Sequence, residues 1–215
     1  MRELVDDLLL QVARELGRHG WEFAPNDEEE DYAFFFMSKS DGLVYCVGLD
    51  LTPRDYGLSL NPSVSVRHEA ISRLAAQFYG LAEGASIVGA SLADLFDAQG
   101  REGGLVPRWT IFPSDDLAVV ARLVASDIER YGVPFLERFD SLSEVVFYLE
   151  EREPKSRFDL GNLAIVYAEL GDMSRCESII VRFSSSIIGQ PPFVTEQAEH
   201  FVTNIRRHYG LRSEG

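Results

Sequence analysis

Residues 32–51 read YAFFFMSKSDGLVYCVGLDL, and this segment decides the fold. Its first part, residues 32–37, is rich in aromatic side chains, which favour β-strands. Residues 38–42 are mostly small or polar and predict a turn, and residues 43–51 continue with apolar side chains. The segment therefore predicts an antiparallel β-hairpin.

Weaker strand patterns extend this hairpin. After a break at residues 53–57, residues 58–67 alternate apolar and polar side chains, with an interruption at Asn61 and Pro62. These patterns predict a meander. Shorter segments with strand character lie at residues 21–23, 86–89 and 107–112. The sequence therefore predicts an antiparallel sheet of about four to six strands.

Helical patterns flank the strands. Residues 3–18 place Leu4, Leu8, Val12 and Leu16 on one face, which predicts an amphipathic first helix. The same criteria predict helices at residues 68–79 and 91–97, a long helix that takes its cap and early acidic residues from residues 113–116 and runs to about residue 131, and a helix at residues 141–151. The last of these opens with a Ser-x-x-Glu capping box, and a sharp break is expected at residues 132–134. The fold class is therefore α+β, with a sheet flanked by helices.

The C-terminal third is predicted to be all-helical. Helical stretches are expected at residues 157–170, 173–184 and 195–209. Pro154 precedes them and predicts a boundary between an α+β domain at residues 1–153 and a helical extension at 154–215 packed on it. One single domain remains the alternative, because 215 residues fit either arrangement.

Acidity is the most unusual bulk property. The chain has 35 Asp and Glu against 20 Lys and Arg, giving a formal net charge of −15. Such a surface repels nucleic-acid phosphates and anionic lipid and attracts basic partners. We therefore expect no nucleic-acid and no membrane partner, while solubility alone is the alternative explanation of the charge.

The N-terminus and the cysteines indicate the compartment. Acidic residues follow Met1 where a secretion signal would be basic and then apolar, and no apolar run approaches membrane-spanning length. Cys46 and Cys176 lie far apart in apolar surroundings and are expected to be core residues. The sequence predicts a cytoplasmic protein.

Signatures of catalysis are missing from the sequence. It contains no His-Glu-x-x-His, no Cys-x-x-Cys, no Walker loop and no Gly-x-Ser-x-Gly elbow, so we expect no metal and no cofactor. One enzymatic alternative is a hydrolase built on His68, with Arg67, Glu69 and nearby carboxylates. An ordinary helix-start residue at a solvent boundary is the favoured explanation of His68, because no nucleophile accompanies it.

Acidic and aromatic residues are concentrated around the hairpin. An acidic run immediately precedes the aromatic strand, and further acids follow the second strand. Clustered charge accelerates association with a basic protein, and aromatic side chains supply buried anchors. The predicted partner-binding residues are Asp27, Glu28, Glu29, Glu30, Asp31, Tyr32, Phe34, Asp50, Asp55 and Tyr56.

Two resemblances bear on function. Residues 163–172 read LAIVYAELGD, and with Cys176 and Ile180 they make residues 157–184 resemble a single tetratricopeptide hairpin. The order of elements, with the sequences GWEF at residues 20–23, SVRH at 65–68 and YGVPFL at 131–136, resembles uncharacterised bacterial families near the domain of unknown function 4304. Several families of this kind are similar to immunity proteins encoded beside secreted toxins.

The resemblance implies a non-enzymatic binding protein. Its most concrete form is a bacterial immunity protein that neutralises a cognate, basic toxin by direct binding. An acidic chaperone or adaptor for a secreted effector, docking through residues 157–184, is the alternative. The hydrolase built on His68 is a third.

Overall fold

The computed structural model describes residues 2–24, 32–39, 42–80, 86–98, 109–152 and 156–211. Within these residues an antiparallel sheet of six strands is flanked by helices, which confirms the predicted α+β class. The strands are β1 (Glu22–Ala24), β2 (Tyr32–Ser38), β3 (Leu43–Arg54), β4 (Gly57–His68), β5 (Val88–Ser91) and β6 (Trp109–Ile111). Their order is β1-β2-β3-β4-β5, and β6 also pairs with β4.

One face of the β2–β3 pair packs in the core. Ala33 and Phe35 of β2 are opposite Leu49 and Val47 of β3, and all four side chains are buried. Successive side chains of a strand point to opposite faces, so the residues between these belong to the other face. That second face is mixed, because Val44 and Cys46 of β3 are buried on it whereas Phe34 and Asp50 are exposed.

The predicted interruption of the fourth strand is wrong. β4 runs continuously from Gly57 to His68 and includes Pro62. Proline has a fixed φ that is compatible with extended backbone, and its missing N–H matters only where a neighbouring strand needs a donor. Pro62 lies beyond residues 58–60, so its missing N–H does not affect the pairing of β4 with β6.

The helices largely follow the sequence periodicity. They are α1 (Arg2–Gly17), α2 (Glu69–Tyr79), α3 (Leu92–Ala98), α4 (Leu117–Asp127), α5 (Val133–Leu136), α6 (Leu142–Glu151), α7 (Arg157–Glu169), α8 (Met173–Ser186) and α9 (Pro192–Tyr209). The capping box of α6 forms as predicted, because Ser141 Oγ accepts from the Glu144 N–H and the Glu144 carboxylate accepts from the Ser141 N–H.

A sharp break at residues 132–134 does not occur. A π-helical turn, Ile128–Gly132, connects α4 to α5, and the Val133 N–H donates to the Ile128 carbonyl five residues earlier. Pro134 then occupies the start of α5, where a missing N–H is tolerated. A Cβ on Gly132 would lie 2.7 Å from Val64 Cγ1, so only glycine allows the turn to approach β4 this closely.

The chain divides into two compact units. The first comprises Met1–Ser40, Val44–Val66 and Gly89–Arg138 and holds most of the sheet; the second comprises Asp41–Leu43, Arg67–Val88 and Phe139–Gly215 and is mainly helical. In the first unit, Leu8, Val12 and Leu16 of α1 are fully buried. The predicted boundary near residue 154 stays a prediction. The helix that precedes it, α6, belongs to the same unit as the later helices.

In the helical unit, α7 is the central helix. Every residue from 160 to 168 is buried, so no side of this stretch faces solvent. A helix that is apolar on all sides packs inside a bundle. Gly161 lies at the closest approach, since a Cβ there would be 1.8 Å from Tyr79 Oη of α2.

Candidate protein-binding surface

The acidic run cannot be placed, because residues 27–31 lie outside the described part of the chain. The remaining predicted residues are all described in backbone. Tyr32 opens β2 and is opposite Asp50 of β3. The first described residues of the predicted site therefore lie at one end of the β2–β3 pair.

Phe34 is exposed on the second face of the β2–β3 pair. Its neighbours Ala33 and Phe35 are buried, whereas 43% of Phe34 is accessible. It is opposite Gly48, which has no side chain to cover the ring from the paired position. Asp50 is also exposed and shares this face, so one aromatic ring and one carboxylate lie near each other there. We call Phe34 and Asp50 the face pair.

Asp55 and Tyr56 form the turn between β3 and β4. They lie five and six residues beyond Asp50, which corresponds to roughly 17–20 Å along an extended strand. Both are exposed. The structure therefore separates the described site residues into the face pair and a second group at this turn.

The turn is held against the end of β6. Leu58 pairs with Ile111, and a Cβ on Gly57 would lie 2.1 Å from the Ile111 carbonyl oxygen. Only glycine fits this approach. As a result, the rings of Tyr56 and Phe112 lie with centroids 6.2 Å apart and planes at 39°, and they are 59% and 45% exposed.

Two carboxylates fix the backbone after Phe112. Asp115 Oδ2 accepts a hydrogen bond of 2.7 Å from the Phe112 N–H. Asp116 is the N-cap of α4, and its Oδ1 accepts from Ala118 N at 3.0 Å and Val119 N at 3.3 Å. We call Asp55, Tyr56, Phe112 and Asp115 the hairpin tip. It presents two rings and two carboxylates on a constrained backbone.

Sequence reasoning missed Phe112 and Asp115 as members of the site. The sequence predicts only a helix start for Asp115 and Asp116, and this is confirmed for Asp116, the N-cap of α4. Phe112 lies beside Tyr56 because β4 pairs with β6, and these strands are separated by about 40 residues of sequence. Short-range periodicity does not contain it.

His68 has a structural position. It is the N-cap of α2, and its Nδ1 accepts from the Ile71 N–H at 3.4 Å. A Cβ on Gly42 would lie 3.0 Å from His68 Nε2, so the ring is also packed against the turn before β3. Both ring nitrogens are thus close to protein groups, which weakens the hydrolase alternative.

The hairpin at residues 157–184 offers little docking surface on its first helix. α7 and α8 are antiparallel helices joined at Gly171, which has a φ of +80°. Because residues 160–168 are buried, the docking surface required by the chaperone alternative is not exposed on α7. A pocket of about 580 Å³ lies instead between the end of α8 and α9, lined by Ile187, Ile188, Glu199 and Val202 among others.

Polar clusters away from the hairpin hold helices in place. In the sheet unit, Trp21 Nε1 donates to Glu129 Oε1 at 3.3 Å, and Trp109 donates to Asp127. Burial raises the pKa of the Asp127 carboxyl, although Arg130 and the Trp109 hydrogen bond lower it. These contacts bind the end of α4 and the π-helical turn to β6 and to the residue before β1.

A similar cluster lies in the helical unit. The Tyr167 hydroxyl of α7 donates to Glu150 of α6 and accepts from Arg175 Nη1 of α8 at 3.2 Å. Burial and the hydrogen bond to Glu150 raise the pKa of Tyr167. Three helices are thereby linked through one hydroxyl.

The described residues contain no group of three or more His, Cys, Asp or Glu side chains that could hold a metal ion. Among the helices of the described ranges, none is long and apolar enough to cross a membrane.

Comparison of the chain with models of protein families, with curated proteins and with solved structures finds no match.

Proposed function

We propose that the chain is a non-enzymatic binding protein, in its most concrete form a cytoplasmic bacterial immunity protein that neutralises a basic toxin. One observation carries this proposal: exposed aromatic rings occur together with carboxylates at the face pair and at the hairpin tip. Rings of this kind act as anchors in protein interfaces, because they bury a large area at a small cost in conformational entropy.

The charge of the chain supports a basic partner. Residues 50–57 and 112–116 contain four carboxylates and one guanidinium, and the whole chain has a net charge of −15. Complementary charge raises the association rate and suppresses acidic competitors. The acidic run at residues 27–31, which precedes β2 in sequence, would add to this field.

The other two functions have less support. A chaperone that docks its client on residues 157–184 would have to use α8, because residues 160–168 of α7 are buried. A hydrolase would need His68 to act as a base, whereas His68 Nδ1 accepts the first-turn N–H of Ile71. Protein binding is the function that uses the exposed rings and carboxylates of the face pair and the hairpin tip.

Coexpression tests the proposal. The chain is used to capture proteins from its host, and each captured basic protein is expressed alone and together with the chain while growth is measured. We expect one captured protein to stop growth alone and to be harmless with the chain. A captured protein that is harmless alone, or whose toxicity the chain does not relieve, would remove the immunity function.

The acidic run provides a kinetic prediction for the same pair. Reversing Glu28, Glu29 and Glu30 to Lys is expected to slow association about tenfold or more at low salt and to flatten its salt dependence, because steering is electrostatic. Stopped-flow mixing measures the rate constant.

The matched control changes the net charge by the same amount at a different place on the chain. Glu3, Asp6 and Asp7 are exposed on α1, and their reversal to Lys adds an equal positive charge. If both triple variants slow association equally, only the net charge matters and the acidic run is not part of the interface.

A further inference from the structure

The ring pair at the hairpin tip is a tilted aromatic contact that stays accessible to solvent. Tyr56 and Phe112 have centroids 6.2 Å apart and a 39° angle between planes. Each exposes about half of its surface or more. Tilted rings with accessible faces present their negative π surfaces to a group from outside the chain.

Carboxylates strengthen the attraction for a cation. Asp55 immediately precedes Tyr56, and Asp115 is joined to Phe112 by a 2.7 Å hydrogen bond to the Phe112 N–H. That bond uses one carboxylate oxygen of Asp115. A cation over the rings would therefore experience both the ring quadrupoles and nearby negative charge.

Cations of this chain already cover rings elsewhere. Lys39 Nζ lies 4.7 Å from the centroid of Tyr45, and the Arg175 guanidinium lies 5.5 Å from that of Tyr167. Among the described Lys and Arg residues, none lies over Tyr56 or Phe112. This includes Arg54, which is two residues before Tyr56 in the sequence and does not lie over either ring.

We propose that the hairpin tip is a cradle for an arginine side chain of the protein partner. The inference rests on the proposed function and names the chemistry that the partner must supply at this point. A guanidinium stacks on an aromatic face through its plane while its N–H groups at the edge donate to carboxylates. The tip supplies rings and carboxylates for both contacts.

Ring-selective NMR with a defined peptide tests the cradle. The full chain, labelled with ¹³C in Tyr and Phe rings, is titrated with acetyl-Gly-Arg-Gly-amide. Spectra of Tyr56→Leu and Phe112→Leu identify the two ring signals. We expect saturable shifts of both signals, and about two- to fivefold weaker binding in either Leu variant, which is the range for an exposed cation–π contact.

The control peptide replaces arginine with citrulline, which keeps the shape and removes the charge. It is expected to leave the Tyr56 and Phe112 signals unshifted. Equal shifts with the citrulline peptide, or arginine binding that both Leu variants retain, would overturn the cradle. Unchanged melting temperatures in the variants exclude misfolding as the reason for a loss.

Two further variants separate rings from charge. Asp55→Asn is expected to weaken arginine binding and reduce its salt dependence, while Leu123→Ala removes exposed apolar area on α4 and is expected to have no effect. A peptide with lysine in place of arginine distinguishes a general cation site from a guanidinium site; tighter lysine binding would overturn the arginine assignment.

Two outcomes distinguish the arginine cradle from the immunity function. If the arginine peptide does not bind while the chain still neutralises a captured toxin, the cradle is wrong and the immunity function stands. If the peptide binds as described and no captured protein is neutralised, the cradle stands and the immunity function is lost.

Discussion

The helical unit and the hairpin tip use aromatic side chains in opposite ways. In the helical unit, Phe201 lies 4.4 Å from Tyr79 and 4.8 Å from Phe183 between ring centroids, and all three are buried. At the hairpin tip, Tyr56 and Phe112 are farther apart and exposed. The same residue type therefore fills a core in one place and forms an accessible surface in the other.

The difference separates stability from binding. Truncating a buried Phe typically costs about 3–5 kcal/mol of folding free energy, because transfer and cavity terms add. An exposed ring contributes little to folding, and its area remains available to a partner. The helical cluster should accordingly respond to mutation in stability, and the hairpin tip in binding.

The largest effect is expected at Gly161. Gly161→Ala would place a Cβ 1.8 Å from Tyr79 Oη and 3.2 Å from Phe201 Cζ, so the helices must separate. We expect a loss of about 3 kcal/mol in the free energy of unfolding, at the upper end of overpacking effects. Urea denaturation measures it.

A second variant attributes this loss to the named contact. In a Tyr79→Phe background the nearest clashing atom is absent, so Gly161→Ala should cost clearly less than in the wild type. An equal cost in both backgrounds would mean that Tyr79 is not the obstacle, and the central place of α7 would need another explanation.

Gly57 tests how the hairpin tip is presented. Gly57→Ala would bring a Cβ 2.1 Å from the Ile111 carbonyl oxygen, which forces β4 and β6 apart locally. We expect about 1–2 kcal/mol of destabilisation and separation of the Tyr56 and Phe112 rings. Loss of the nuclear Overhauser effects between these rings is the readout; Gly17→Ala, where nothing lies within 4 Å, is the control.

The smallest effect concerns Asp127 and pH. Burial raises its pKa in the folded state, so ionisation is disfavoured there and the folded protein binds the proton more tightly than the unfolded chain. Ionised Asp127 therefore lowers the free energy of unfolding at pH values above its folded-state pKa. This loss disappears below the ordinary carboxyl pKa of about 3.9.

Asp127→Asn removes this loss of stability and keeps an oxygen that can accept from Trp109. We therefore expect the variant to be slightly more stable than the wild type at pH 7 and the difference to shrink as pH falls. Melting temperatures across the pH range measure it. A difference that grows on acidification would mean that the carboxylate is stabilised when ionised.

Local features of this fold were predictable from sequence, and its long-range pairings were not. The hairpin at residues 32–51 and the caps at Asp116 and Ser141 follow from strand propensity and from hydrogen-bonding side chains before a helix. The π-helical turn depends on the fit of Gly132 to Val64, which no local pattern encodes.

The candidate site was half predictable for the same reason. Phe34, Asp50 and Tyr56 were found because they lie in or beside one aromatic hairpin. Phe112 was missed because it joins Tyr56 only through the pairing of Leu58 with Ile111. Exposure is likewise a tertiary property, since Phe34 and Phe35 are neighbours in sequence and differ completely in burial.

Site-specific photocrosslinking in the host tests whether the face pair and the hairpin tip contact a basic protein. Benzoylphenylalanine replaces Tyr56 or Phe34 in the full chain, and replaces Phe193, an exposed ring of α9, as the control. We expect positions 56 and 34 to crosslink to one basic protein and position 193 not to crosslink to it. Crosslinking of that protein at position 193 alone, or of no protein at positions 56 and 34, would contradict this expectation.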